Sequence, residues 1–564
     1  MSNWMNVLSL LEEQTLNYSE KIALAVKNKF GWKEFSYKGL GLLTRKLAYY
    51  LINDLQVKKG ERLAILSESK PEIGACFFAS VLSGMVTVPL DHKLTIYELT
   101  SILSDCQPSV LMVSQSYIDK ALELKEKIES LNTIIVMDEP TYNSDMLNLH
   151  TLPDNYNCKW KHRSSKSTAL IIYTSGTTGS PKGVEISFKN ILCQMKDLQK
   201  PLSVIFSRFN KKLQNNINVL SILPMNHLFE LTVGLFAFLN FGFSVYYAQS
   251  LKPKDILEIM KEKKIQFMIV VPAFLKLLMI SIKSEINNLP PSKKFMFNTM
   301  YAIANYVPMN IRRLMFKQIH SKFGGHFAQC ISGGAPLDIS VADFFQRIGI
   351  KIYQGYGLTE TSPVVSVNMG DMKYMASVGK ALESYETKID PDTGELLLRS
   401  DSVMKGYYNQ PELTAQVIDE DNWFHTGDIA QIDKHKNIYI TGRIKNMIVL
   451  NGGKKVFPEE VETVLEKSPY FAEVCVMGST KTSGAKDGTE EVMAVVVPKD
   501  DILNRFGDDS NGLHDFIRKE VKTLSQQLTM YKRPSNIVVL RDPLPKTTTR
   551  KVKRNDVKEL VASL

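Results

Sequence analysis

The chain has 564 residues, 44% of them apolar and 23% charged, with a formal charge of +10. These are the values of a globular protein with large cores, long enough for more than one domain. The positive balance is modest for the length. It suits anionic ligands or an acidic membrane surface, and with no DNA- or RNA-binding signature present, nucleic acid is not an expected partner.

Cys76, Cys106, Cys158, Cys193, Cys330 and Cys475 are scattered, with neither a CxxC pair nor zinc-site spacing. They are expected as small, mostly buried hydrophobes in a reducing compartment. The opening MSNWMNVLSLLEEQ carries Glu12 and Glu13 and lacks the basic start and long apolar stretch of a signal peptide. A cytoplasmic location is the expectation.

In chain order, an amphipathic helix and a short strand pattern, EFSYKGL, precede a helix over Lys38 to Leu55. The turn Gly60-Glu61-Arg62 leads into a buried strand, LAILSES. Pro71 to Val86 reads as an apolar helix and VTVPLD as the next strand. Strand, helix, strand at this spacing is a βαβ unit and argues for a mostly parallel sheet. The pattern recurs at Val110 to Val113 and Thr133 to Met137.

A buried strand, Ala169 to Tyr173, then enters YTSGTTGSPKG, Tyr173 to Gly183. Gly176 and Gly179 let the backbone turn tightly and approach a ligand. Thr174, Ser175, Thr177 and Thr178 offer donors, and Lys182 adds a cation at the rim. Such a loop suits a polyphosphate, because oriented donors and a fixed cation meet the anion without reorganising. It is not a Walker A loop, which needs GxxxxGK[ST] opening into a helix; here VEIS, another strand pattern, follows.

A helix is expected over Phe188 to Leu198, then a polar loop or surface helix from Lys200 to Asn218. In VLSILPMNHLFE, Val219 to Glu230, Pro224 ends a strand and His227 lies just past its end, where α/β ligand crevices form. Leu228 to Ala248 approaches the length of a membrane span. Glu230 and Asn240 interrupt it, so it reads as a buried helix, a turn at Asn240-Phe241-Gly242 and a β-rich run. Ile265 to Pro272 is a further buried strand, and Ser281 to Phe323 is long, helical and basic. ISGGAPL, Ile331 to Leu337, is a glycine turn after a strand. YQGYGLTETSP follows at Tyr353 to Pro363, WFHTGD at Trp423 to Asp428, and GRIKNMIVLNGGKKVFPEEVE from Gly442. The last residues contain strands at Ala472 to Met477 and Val492 to Val497, a helix from His514 to Leu528, and the closing LPKTTTRKVKR, Leu544 to Arg554.

The loop at Tyr173 to Gly183 and the later motifs, in this order over nearly the whole chain, resemble the adenylate-forming superfamily, and most of all bacterial long-chain fatty acyl-CoA synthetases. The resemblance implies an α/β fold: a large N-terminal domain, 1–442, of mostly parallel sheets flanked by helices, and a small mobile α+β C-terminal domain, 443–564, hinged near Lys445. It implies ATP, Mg2+ and CoA as the partners of a fatty acid. The nucleotide phosphates would lie on Thr174, Ser175, Gly176, Thr177, Thr178, Gly179 and Lys182. The adenine would lie against Gly333, Gly334 and Ala335, with Tyr356 and Gly357 beside it and the Tyr356 ring stacked on the base. Thr359 would donate to the α-phosphate, and Glu360 supplies a hard oxygen for Mg2+. Asp428 would accept from the ribose hydroxyls, and Arg443 would reach ribose or phosphate. His227 would line the carboxylate and acyl site. Lys551 takes the place of the catalytic lysine, and Gly452 and Gly453 would border the pantetheine channel. One departure is Arg550, where many members have glycine.

Three readings follow. The first is a long-chain fatty acyl-CoA synthetase. The second is a fatty acyl-AMP ligase, or acyl-carrier-protein synthetase, loading a carrier-bound pantetheine. The third is a non-catalytic acyl- or nucleotide-binding scaffold, which the intact Lys182, Glu360, Asp428, Arg443 and Lys551 oppose. The basic stretch 281–323 leaves a solvated face, an acyl-carrier-protein contact and a peripheral contact at the inner face of a membrane open.

Overall fold

The computed structural model describes residues 13–28, 31–139, 146–156, 159–161, 163–174, 181–209, 216–450, 454–480, 490–546 and 552–563. The chain forms two compact units, Met1–Glu386 with Arg399–Phe424, and Thr387–Leu398 with His425–Leu564.

In the first unit the expected βαβ pattern builds a seven-stranded sheet. Its order is Gly406–Tyr407, Lys182–Ser187, Thr168–Thr174, Val86–Leu90, Arg62–Leu66, Val110–Val113, Thr133–Val136. From Thr168–Thr174 onward the pairs are parallel, and the first two pairs are antiparallel. The runs VTVPL and VLMV are buried throughout, as both-faced burial of parallel strands requires. The helix Pro71–Ser83 is buried along its whole length and ends at Gly84, φ 73°. A Cβ at Gly84 would lie 2.8 Å from the Lys161 carbonyl oxygen, so both the left-handed turn and the close approach need glycine there.

A second sheet carries, in spatial order, Gly379–Ala381, Ser366–Asn368, Lys351–Tyr356, Gln329–Ser332, Phe267–Val270, Asn218–Ser221, Ser244–Tyr247, Ile22–Asn28 and Gly31–Ser36. The strand Ile22–Asn28, which the sequence pattern did not single out, pairs in parallel with Ser244–Tyr247. The Leu228 to Ala248 stretch divides as expected, into helical Glu230–Ala237 and Phe238–Asn240 and the strand Ser244–Tyr247. Among the described residues no helix is long and apolar enough to cross a membrane.

The helix Phe188–Phe206 runs well past the expected Leu198, with Pro201 inside it. Its start is fixed by a capping box between Ser187 and Asn190. Asn190 also donates through Nδ2 to the carbonyls of Asp401 (2.7 Å) and Val403 (2.8 Å). This ties the segment leading to Tyr407 down beside the Lys182–Ser187 strand.

The second unit contains the antiparallel hairpin of Phe424–Ile432 and Asn437–Arg443 and an α+β body. There Phe471–Thr480, Glu490–Pro498 and Asn536–Val539 form one sheet. The helices Pro458–Leu465 and Ser510–Ser525 contribute to one apolar core, and Arg554–Ala562 to another. The division between units comes earlier in the chain than the 442/443 boundary expected from sequence. The physical reason is that the hairpin pairs Asp428 with Arg443, and Gly442 fits against the Phe457 ring, where a Cβ would come within 2.7 Å.

Candidate active site

In the first unit, the strand Thr168–Thr174 enters the glycine–hydroxyl loop and Lys182–Ser187 leaves it, with Thr174 opposite Lys182 in an antiparallel pair. The two strands that flank the loop are therefore paired as a hairpin. Ser175, Gly176, Thr177, Thr178 and Gly179 lie outside the described residues. The hairpin base is anchored through Tyr173, whose hydroxyl donates to Asp105 at 2.5 Å. Burial pushes that phenol well above its ordinary range.

Lys182 and Glu360 meet around a residue that the sequence reading passed over. The Lys182 Nζ lies 5.5 Å from the Tyr407 ring centroid, close enough for cation–π attraction. The Tyr407 hydroxyl donates to Glu360 Oε1 at 3.0 Å. Burial, and then the Glu360 charge, hold the Tyr407 phenol well above its ordinary range, so it remains a donor. Gly406–Tyr407 is placed by pairing with Val184 and Glu185, and the Met404 N–H donates to the Glu360 carbonyl at 2.8 Å. Lys405 closes the arrangement with an ion pair to Glu185 at 2.9 Å. One ring thus holds a cation against its face and a carboxylate at its hydroxyl.

Glu360 sits between Thr359 and Thr361 in a single 3-10 turn. The turn is held by Thr361 Oγ1, which accepts from the Leu358 N–H at 2.9 Å, and by the Tyr385 hydroxyl on the Thr361 carbonyl at 2.6 Å. A Cβ at Gly357 would lie 1.9 Å from the Pro363 carbonyl oxygen, so this turn is closed to any other residue. Glu360 Oε2 has no partner among the described residues. A single carboxylate with an open oxygen fits Mg2+, which takes one or two protein carboxylates and completes its shell with substrate phosphates and water. No cluster of three or more His, Cys, Asp or Glu side chains occurs among the described residues.

Gly333 is buried and follows the strand Gln329–Ser332, while Gly334, φ 82°, and Ala335 are exposed. A Cβ at Gly333 would touch the Phe229 ring at 3.1 Å. Phe229 also lines an apolar cavity with Leu198, Leu202, Val233, Ile331 and Gly355, whose remaining walls are Pro201, Ile205, Val364 and Val367. Its lining carries no charged or polar side chain. At Gly355 the space is open: a Cβ there would meet nothing within 4 Å. Tyr356 is the next residue along the strand Lys351–Tyr356, half-buried and opposite Ser366. The cavity therefore lies directly against the glycine turn.

His227 precedes Phe229 by two residues. Its Nε2 is shut off from solvent without a partner among the described residues, although the residue as a whole is half-buried. Burial lowers its pKa and keeps the ring neutral. Glu230 is fully buried with both oxygens unpartnered among the described residues. Burial raises it to about 8; Ser221 comes near enough to favour the charged form slightly, but not to hydrogen-bond geometry.

In the second unit, the side chains of Asp428 and Arg443 form an ion pair, Nε to Oδ1 2.6 Å, with Asp428 only 2% exposed. The Asp428 N–H is held by Thr426 Oγ1 at 3.0 Å. Glu395 accepts from the Gly427 N–H at 2.7 Å and contacts His425 Nδ1 at 3.0 Å. Lys445 follows in a 3-10 turn, Ile444–Asn446. Gly452, Gly453 and Lys551 lie outside the described residues. The flanks of Lys551 are fixed: Lys546 bridges Val552, Lys546 pairs with Glu473 at 2.5 Å, and Arg554 grips both Glu462 oxygens at 2.7 and 2.8 Å. Burial raises Glu462 to about 7 against the pull of Arg554.

Residues 11–408 match the AMP-binding enzyme family, and residues 460–551 match the AMP-binding enzyme C-terminal domain. The chain is 26% identical to a chloroplastic long-chain-fatty-acid--[acyl-carrier-protein] ligase of Arabidopsis thaliana, over 99% of this chain and 85% of that one. It is also 26% identical to a long-chain-fatty-acid--CoA ligase of Escherichia coli O157:H7, over 99% and 94%. Among solved structures, an ATP-bound RpMatB-BxBclM chimera superposes with a TM-score of 0.79 at 24% identity, over 99% of each chain.

Proposed function

The chain belongs to the AMP-binding enzyme family, within the adenylate-forming superfamily, and from that premise we propose that it activates a long-chain fatty acid with ATP and transfers the acyl group to the thiol of CoA. The observation that carries the fatty-acid part is the wholly apolar lining of the cavity against the glycine turn, a small space of about 20 Å³ that would have to widen to take a chain. A chain of methylenes gains about 0.8 kcal/mol per buried CH2 there, and a polar acid would leave its own groups unpaired.

A carboxylate is a poor acylating agent because its leaving group would be oxide. The proposed route has two steps. A carboxylate oxygen attacks the α-phosphorus and pyrophosphate leaves, giving acyl-AMP. The thiol then attacks the acyl carbon and AMP leaves. The first step brings two anions together, so positive charge and donors must stand in place beforehand. Lys182, held by the Tyr407 ring, meets phosphate charge, and Thr174 and Thr359 donate to phosphate oxygens. Tyr407 orients the Glu360 carboxylate through Oε1, which would leave Oε2 to hold Mg2+. The bound ion would supply neutralisation of phosphate charge. Asp428 accepts from the ribose, with Arg443 Nε 2.6 Å from its Oδ1. His227, neutral, would face the carboxylate of the bound acid from outside the apolar cavity, two residues before Phe229. Lys551 binds carboxylate and phosphate oxygens in this step, and the C-terminal unit moves about Lys445 before the second.

The second reading, transfer to a carrier-protein pantetheine, has one finding in its favour: a relative named for that acceptor matches at the same identity as one named for CoA. The experiment offers a panel of fatty acids with ATP and Mg2+ to the enzyme, with CoA in one arm and holo acyl carrier protein in the other. Acyl-CoA formed with a preference for long acids supports the first reading. Labelled carrier protein without acyl-CoA supports the second, and no AMP formation in either arm rejects both.

A further inference from the structure

Of the nineteen large apolar side chains that stand exposed among the described residues, nine fall between Leu277 and Leu314. The helix Pro291–Ile303 is at their centre and has no buried residue at all. Its inner stripe is already in use. Phe297 stacks on Tyr301 at 5.7 Å and meets Phe316 edge-on at 5.4 Å, and the Arg347 guanidinium lies 5.1 Å from the Tyr301 ring. A second stripe faces solvent. Phe295, Thr299, Ala302 and Ile303, with Met296 beside them and Tyr306 in the following turn, are all exposed. At about 100° per residue they share an arc of roughly 120°. Phe295 is 75% exposed and Tyr306 88%. A folded protein does not gain from holding an apolar stripe in water, so the stripe points to a surface that covers it.

The charge around the stripe says which surface. Residues 286–337 contain no Asp or Glu and six Lys or Arg. Arg312 and Arg313 are taken up by carbonyls, those of Val307 and Gln346 for one and Phe327 for the other. Lys322 pairs with Glu285. Lys293, Lys294 and Lys317 have no ion-pair partner among the described residues, and Lys293 and Lys317 are exposed. Asp343 is on the inner side and is paired with Arg347 at 2.6 Å. Large apolar side chains on one arc of a helix, lysines at its margins and no acid in the stretch itself are the features of a helix that lies in the plane of an anionic bilayer, with rings at acyl depth and ammonium groups at the headgroups. We propose that the outer face of the Pro291–Ile303 helix, continued by Tyr306, docks the protein on an anionic lipid surface. The inference stands on this face alone and not on the acyl-chain reading.

The test is flotation of the full-length protein with vesicles of phosphatidylglycerol and phosphatidylcholine in equal parts, against vesicles of phosphatidylcholine alone. The wild type is expected to float with the anionic vesicles and to be released by high salt. Phe295→Ser with Ile303→Ser, on the exposed face, should lower partitioning roughly tenfold for each side chain removed. Their ATP-dependent activity on a short, water-soluble acid should equal that of the wild type, which shows that they fold. Equal partitioning of variant and wild type overturns the proposal. So does retention on holo acyl carrier protein, or a dimer, that the same substitutions abolish while vesicle binding is absent.

Discussion

Replacing Glu230 by Gln should make the protein less sensitive to alkali. Glu230 is fully buried, its carboxyl oxygens have no partner among the described residues, and its pKa stands at about 8 against an ordinary 4.5. In the folded protein it is therefore a neutral acid at pH 7. In the unfolded chain the same group is ionised above about pH 4.5. Unfolding then releases a proton throughout the window from 4.5 to about 8. The stability of the neutral form is fully present below the unfolded value and is lost as pH rises through the folded one. The whole shift corresponds to about 5 kcal/mol, at about 1.4 kcal/mol per pH unit. Between pH 5 and pH 7.5 roughly 3 kcal/mol of that is lost. Glutamine keeps the size and a buried polar group but does not titrate. The assay is urea denaturation of wild type and Glu230→Gln at pH 5 and pH 7.5, because other titrating groups are common to both and cancel in the double difference. The gap should move in favour of Gln by roughly 3 kcal/mol at the higher pH. An unchanged gap would mean that Glu230 is charged and paired, and the reading of a neutral buried acid would fall.

Tyr407→Phe keeps the ring under Lys182 and removes the hydroxyl from Glu360. A hydrogen bond to a charged group is worth about 1.5–3 kcal/mol, so pyrophosphate release should slow about tenfold or more with the Mg2+ requirement raised; unaltered kinetics would remove Tyr407 from the site. Gly355→Ala should take up much of the apolar cavity, about 20 Å³, without touching backbone, since a Cβ there meets nothing within 4 Å. Rates across a fatty-acid panel should fall for long acids and hold for short ones, and a uniform loss would show that the cavity does not hold the chain. Lys551→Ala should abolish adenylate formation and largely spare thioester formation from supplied acyl-adenylate, while Gly453→Trp should do the reverse. Equal losses in both half-reactions in both variants would refute a hinge at Lys445.

What was legible in the sequence is what short stretches determine by themselves. The glycine loops announced their turns because backbone conformation decides them, as Gly357 under the Pro363 carbonyl shows. The parallel strands announced themselves as uninterrupted apolar runs such as VLMV. Asp428 and Arg443 were singled out separately, but their pairing depends on the register of a hairpin. Tyr407 carries no local signal, because its role exists only when Gly406–Tyr407 pairs with a strand more than two hundred residues earlier. The cavity escaped for the same reason: Leu198, Phe229, Ile331 and Val364 come from four separate segments. Glu230 was read as an interruption of an apolar run, and only its missing partners mark it as a neutral acid. The stretch 281–323 read as basic throughout. Two of its arginines serve neighbouring carbonyls instead, and its exposed feature is apolar.

The measurement that bears most directly on the proposed chemistry is mass-spectrometric detection of enzyme-bound acyl-AMP after mixing protein, ATP, Mg2+ and a long-chain fatty acid with no thiol present. The account predicts one acyl-AMP and one pyrophosphate per active enzyme, with acyl-AMP consumed on adding CoA or holo acyl carrier protein. ADP and phosphate in place of AMP and pyrophosphate, or thioester formed without an adenylate, would contradict it.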